Sequence, residues 1–155
     1  SMIKKKTIIY FSLMLGFTVC IFAQIEPKRI SNVEVKQILD QKKEIVIVDV
    51  RGINAYKAGH IPTSISMSSG EIVSRHKELP KNTLIVLYCS WIAEASSVRA
   101  AQTLAKDFGF NMELLKVLKG GFHTWRDAGY PVNQGLAVKP KGKLATLWSK
   151  IRSKK

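Results

Sequence analysis

Cysteine is almost absent from this chain: 155 residues contain two, and Cys20 falls in an apolar N-terminal run, so the remainder has only Cys89. A lone thiol forms no intramolecular disulfide, which excludes a disulfide-stapled scaffold. Histidine is equally sparse. His60, His76 and His123, taken with Cys89, make no metal-ligand spacing, and no glycine-rich phosphate loop is present. No metal and no cofactor are therefore expected. Acidic residues are few, 11 against 25 basic ones, a formal charge of +14. That excess belongs to the ends, because Lys4, Lys5, Lys6 and seven basic residues from Lys139 onward hold ten of the 25, leaving 15 against the 11 acids. A nucleic-acid groove spreads its charge over a folded face with aromatics interleaved. Nothing here has that arrangement, and no nucleic-acid partner is expected.

What is present suits one globular core: 46% hydrophobic residues, no internal repeat, and flanks of different character. Residues 1–24 read as a signal peptide or membrane anchor, with a lysine-rich start and an uncharged run over 7–23. The run is long for a signal core and short for a spanning helix, which needs about 20 residues. Cleavage after Ala23 and retention as an anchor both fit, and either implies export: a periplasmic or membrane-anchored protein facing outside the cytoplasm. Residues 25–135 form the expected domain and 136–155 a basic tail. There Leu144, Leu147, Trp148 and Ile151 follow i, i+3, i+4, i+7 spacing among Lys143, Lys150 and Arg152. That pattern suits a helix on an anionic membrane surface, the alternative being a solvated tail packed on the domain.

Within the domain, strands and helices alternate. Ser31-Asn32-Val33-Glu34 has the form of a capping box opening a helix to about Lys43. Residues 45–50, a β-branched run broken only by Asp49, and 83–88, apolar after Thr83, have the pattern of strands buried on both faces. Shorter strands are predicted at 29–30, 65–67 and 114–118, and helices at 54–58, 71–78, 94–108 and 123–128. Alternation of this kind predicts an α/β fold, a central parallel sheet of about five strands with helices on both faces. Ligands of such sheets bind beyond the carboxyl ends of the strands, where Cys89 stands.

A thiol acts as nucleophile in its thiolate form. Cys89 is followed by Ser90, Trp91, Ile92, Ala93, Glu94, Ala95 and Ser96, a loop leading into a helix N-terminus. Unpaired N–H groups and the helix dipole there favour negative charge, with no neighbouring base required. The bland alternative is a buried, inert cysteine packed as a small hydrophobe.

Three ordered motifs carry a resemblance. Asp49-Val50-Arg51 with Tyr56 and Gly59-His60-Ile61-Pro62 comes first; Tyr88-Cys89 with Ser97, Ala100, Ala101 and Leu104 follows; Lys119-Gly120-Gly121-Phe122, Trp125 and Gly129-Tyr130-Pro131-Val132 closes the set. Over residues 31–132 the chain resembles the rhodanese-like, single-domain sulfurtransferase family. The resemblance implies a persulfide cycle in which Cys89 takes sulfane sulfur from a small donor and passes it to a thiol or cyanide-like acceptor, within the loop of residues 90–96. Asp49 and Arg51 are expected to support the sheet rim by pairing, and His60 to fix a turn.

The loop departs from the family pattern. Aligned on Ser97 and Ala100, it is longer, and it lacks the family's glycine and arginine. Glu94 stands near where relatives place a cation. Facing the pocket it would repel thiosulfate; as a helix-start residue pointing to water it would only favour the dipole. The second placement is preferred here. The altered loop keeps open a catalytically silent rhodanese-like module that binds a protein partner. A phosphatase of related fold requires Cys-x5-Arg, and Ala95 occupies that arginine position.

Overall fold

The computed structural model describes residues 26–90 and 94–136. The expected signal or anchor, the basic tail from 137 onward, and Trp91, Ile92 and Ala93 of the loop lie outside the described residues. Among the described residues, no helix is long and apolar enough to cross a membrane.

Five strands form one parallel sheet: β1 (Lys28–Ile30), β2 (Val46–Asp49), β3 (Ile65–Ser66), β4 (Ile85–Tyr88) and β5 (Leu115–Leu118), in the order β1-β5-β4-β2-β3. The helices are α1 (Asn32–Asp40), α2 (Ile53–Ala58), α3 (Ile72–Arg75), α4 (Ala95–Phe108) and α5 (Gly121–Asp127). From β2 the chain goes outward to β3 and returns to β4 on the other side of β2. The carboxyl ends of β2 and β4 therefore lie at the reversal of strand order, the rim where open α/β sheets bind ligands.

Side-chain alternation divides the core in two. Val46, Val48, Ile85, Leu87, Leu115 and Val117 join Ala100, Ala101 and Leu104 of α4 on one face, and Cys89 belongs to this cluster. Ile45, Ile47, Val86, Tyr88 and Leu118 join Val35 of α1 and Phe122 and Trp125 of α5 on the other. Every residue of β2 and β4 is buried, the carboxylate of Asp49 included, as expected of strands covered on both faces.

The predicted capping box is present: Ser31 Oγ accepts from Glu34 N at 3.2 Å and Glu34 Oε2 from Ser31 N at 2.9 Å. Its helix ends at Asp40 rather than Lys43. Lys42 takes the left-handed conformation (φ 53°), and Lys43 N donates to Ile38 O at 3.1 Å while Lys42 N donates to Leu39 O at 3.0 Å. This is a Schellman stop built without glycine, which hid it in the sequence. The expected helix over 71–78 divides into α3 and a 3₁₀ turn, His76–Glu78, with Arg75 tied to Glu71 and Glu78 across the junction.

Thr63 takes the left-handed conformation, with a φ of 68°. A β-branched residue is strained in the left-handed region, at a cost of roughly 1–2 kcal/mol, part of which glycine's extra unfolded-state entropy returns. Thr63→Gly is expected to stabilise the domain by roughly 0.5–1 kcal/mol. Urea denaturation measures this, and an unchanged or lower midpoint contradicts it.

Candidate active site

Cys89 follows β4 directly, and its carbonyl is the fixed point of the site. Phe122 N donates to Cys89 O at 2.8 Å, drawing the start of α5 against the cysteine backbone. Gly121 permits that approach: its φ is 63°, and a Cβ placed there would lie 2.4 Å from Cys89 O. The side chain points to the α4 face. Ser97, in the first turn of α4, places Oγ 3.6 Å from Cys89 Sγ. Cys89 is 9% exposed, so the thiol is packed in the core rather than open to solvent. Among the described residues, Ser97 of the first turn of α4 lies against it, and the sulfur joins the core cluster on that face.

The Ser97 hydroxyl has one proton and two acceptors within reach. It lies 2.8 Å from the Glu94 carbonyl, which also accepts from Val98 N at 2.9 Å. That carbonyl remains satisfied when the hydroxyl turns to the sulfur. The hydroxyl can thus follow negative charge onto Sγ at small cost.

Glu94 contradicts the preferred expectation for it. It does not point to water; the residue is 6% exposed, with a left-handed backbone (φ 51°). Its Oε2 accepts from Arg29 Nε at 2.7 Å and its Oε1 from Gly120 N at 2.7 Å. One carboxylate therefore ties together the end of β1, the start of α4 and the β5–α5 turn. The reason is charge pairing: Arg29 on the edge strand supplies a cation that a buried carboxylate requires. Arg29 was read only as part of an entry strand, and the sequence gives no local sign of a partner 65 residues away. Because Arg29 offsets its charge, Glu94→Gln is expected to leave thiosulfate turnover no higher. Glu94→Ala, which leaves the buried Gly120 N–H without its acceptor, is expected to cost about 1–3 kcal/mol. Steady-state rates and urea midpoints of the two variants check this, and a raised thiosulfate rate in the glutamine variant refutes it.

Asp49 and Arg51 do not approach the sulfur. They face the opposite side of the sheet with Tyr88, forming a closed polar hub at the same rim. Arg51 Nη2 lies 2.6 Å from Asp49 Oδ2, and Arg51 Nε lies 2.9 Å from Oδ1. Tyr88 OH donates to Asp49 Oδ2 at 2.7 Å and accepts from Ile61 N at 3.2 Å. Burial, reinforced by the Asp49 charge, pushes the Tyr88 hydroxyl well above its ordinary value, so it remains a donor. Burial opposes the Arg51 charge, but hydrogen bonds to Asp49 and its charge outweigh that and raise the guanidinium's value. The Arg51 guanidinium also lies 4.1 Å from the Phe122 ring centroid. Through Phe122 the hub reaches the cysteine's backbone.

His60 behaves as a turn-fixing residue: it is buried, stacked on Tyr56 at 3.8 Å, with Nδ1 2.9 Å from Tyr56 O. Trp125 is fully buried and donates to Pro131 O at 2.8 Å. Of the loop, Ser90 and Glu94 to Ser96 are described; Ser96 is exposed and the Ala95 side chain starts α4. Among the described residues, no group of His, Cys, Asp and Glu is placed to hold a metal ion.

The sequence model of the rhodanese-like domain matches residues 31–128. The chain belongs to the rhodanese-like family. Among curated relatives, this rhodanese-like chain is 34% identical over 103 residues to the thiosulfate sulfurtransferase GlpE of Pseudoalteromonas translucida, covering 65% of this chain and 90% of that one. It is 38% identical over 95 residues to the HTH-type transcriptional regulator Rv0324 of Mycobacterium tuberculosis, covering 61% of this chain and 40% of the regulator. Among solved structures, the BH2092 protein of Bacillus halodurans superposes with a TM-score of 0.64 at 26% identity, covering 89% of this chain and 91% of that one. The family model and the superposition agree with the parallel five-stranded sheet described above.

Proposed function

We propose that this rhodanese-like domain carries sulfane sulfur on Cys89 as a persulfide. The observation that carries the reading is the placement of Cys89 at the end of β4, with the Ser97 hydroxyl of the α4 first turn 3.6 Å from Sγ. The 14-residue α4 directs its positive dipole end toward this rim. Together the dipole and the hydroxyl favour the anionic forms that the cycle passes through, the thiolate and the outer sulfur of the persulfide.

The cycle balances without an external oxidant. The Cys89 thiolate attacks the sulfane sulfur of the donor; a new S–S bond forms, and the donor residue departs with the electron pair of the broken bond. For thiosulfate the departing group is sulfite. An acceptor nucleophile then attacks the outer sulfur, and Cys89 leaves as thiolate. A carboxylate in the pocket argued against thiosulfate as donor. The Glu94–Arg29 pair removes that objection.

Cyanolysis tests the reading. Donor-treated protein is expected to release thiocyanate on cyanide addition, and folded Cys89→Ser to release none. Equal release from both rejects a Cys89 persulfide and leaves the silent binding module as the better account.

A further inference from the structure

Glu94 ends the loop that begins after Cys89, and its backbone stands at φ 51° and ψ 6°, where any residue but glycine is strained. Strain of this kind persists only where surrounding contacts enforce it. At Glu94 the enforcing contacts are made by the carboxylate, which accepts from Arg29 Nε at 2.7 Å and from Gly120 N at 2.7 Å. The Glu94 side chain is 8% exposed, so its charge depends on the cation. Arg29 is braced from its own side as well. Its Nη1 donates to Pro27 O at 2.7 Å and lies 3.5 Å from Glu26 Oε2, on an acid about half exposed to water. Glu26 can turn to solvent without Arg29. Glu94 cannot.

Both arms of this clamp lead to the surroundings of the cysteine. Glu94 O accepts from Val98 N at 2.9 Å and from Ser97 Oγ at 2.8 Å, so the conformation of residue 94 sets where α4 begins and where the Ser97 hydroxyl stands against Sγ. Gly120 precedes Gly121, which packs on Cys89 O, and Phe122 N donates to that same carbonyl. We infer that Arg29 is a positioning residue for Cys89: through Glu94 it holds the end of the loop in its left-handed turn, and with it the Ser97 hydroxyl and the Gly120–Gly121 turn. Without the cation, the carboxylate is left buried on a single N–H. Its release toward water frees residue 94 to leave the strained conformation, and the first turn of α4 shifts against the sulfur. The effect on sulfur transfer rests on the persulfide reading, whereas the effect on geometry stands apart from it.

Three variants of the full chain test this. Arg29→Ala is expected to lower kcat for loading Cys89 from thiosulfate about 10- to 100-fold with KM little changed, the scale of a displacement on the order of 1 Å. Arg29→Lys, which returns a cation to the clamp, is expected to recover most of that loss. Lys28→Ala is the control: it removes the exposed Lys28–Glu113 pair from the same edge strand without reaching the loop, and is expected to leave the rate unchanged. The amide resonances of Ser97 and Phe122 are expected to move in Arg29→Ala, to return in Arg29→Lys and to stay in place in Lys28→Ala. An unchanged loading rate in folded Arg29→Ala overturns the inference and leaves the persulfide cycle intact. A loss that Lys28→Ala matches, or that lysine does not recover, shows general weakening of the edge strand and overturns it as well. If the unaltered chain loads no sulfur, the cycle falls, and the Ser97 and Phe122 resonances still decide whether Arg29 positions the neighbours of Cys89.

Discussion

Asp49→Ala is expected to lower the stability of the domain by about 3–5 kcal/mol, the range for removing one partner of a buried ion pair. The size follows from what remains behind. Asp49 is fully buried and the Arg51 side chain is 8% exposed. The carboxylate accepts from the backbone and side chain of Arg51 and from Tyr88 OH. Without it, the guanidinium is left without a counter-charge beneath the sheet rim, with Gly59 O and the Tyr88 hydroxyl among its remaining partners, and the phenol falls back on Ser64 Oγ. Domains of ordinary stability hold about 5–15 kcal/mol in total, so much of the reserve disappears. Since none of these groups touches Cys89 Sγ, the surviving folded fraction is expected to load sulfur. Urea denaturation alongside a loading assay checks both halves, and a loss below about 1 kcal/mol, ordinary for a surface substitution, contradicts the hub.

Gly121→Ala is expected to be as damaging by another route, and Gly129→Ala serves as its control. Both glycines have positive φ, 63° and 71°. Each alanine pays the left-handed strain, about 1–3 kcal/mol. At Gly129 a Cβ meets nothing within 4 Å, whereas at Gly121 it would lie 2.4 Å from Cys89 O. That contact has to be relieved by moving the cysteine's carbonyl, which breaks its hydrogen bond from Phe122 N and shifts the sulfur. Displacement on the order of 1 Å at a reacting centre costs about 10²-fold in rate. Sulfur transfer is expected to fall about that much in Gly121→Ala and little in Gly129→Ala. Equal losses in the two variants would show that Gly121 matters only for its backbone angle.

The fold was legible because its signals are local. The β-branched run at 45–50 and the apolar run at 84–88 marked central buried strands, and Ser31 with Glu34 marked a helix start. The position of Cys89 after the second run placed it at the sheet's carboxyl rim. Long-range pairing was not legible. Arg29 and Glu94 are 65 residues apart, and no periodicity or spacing joins an edge-strand cation to a loop carboxylate. Left-handed positions occupied by Lys42, Thr63 and Glu94 were equally hidden, because glycine is the usual sign of such a backbone. Gly120-Gly121 was recognised as a turn. Its closeness to the cysteine carbonyl emerges only when β4 and β5 lie side by side.

The account depends most on the sulfur of Cys89 being the group that carries the transferred atom. Peptide mass spectrometry of the intact chain after exposure to thiosulfate, and separately to a low-molecular-mass persulfide, tests it directly. The account predicts the mass of one added sulfur on the Cys89 peptide, lost again on adding an acceptor thiol. Folded protein whose Cys89 peptide gains nothing from either donor, while sulfur is still transferred in solution, would contradict it.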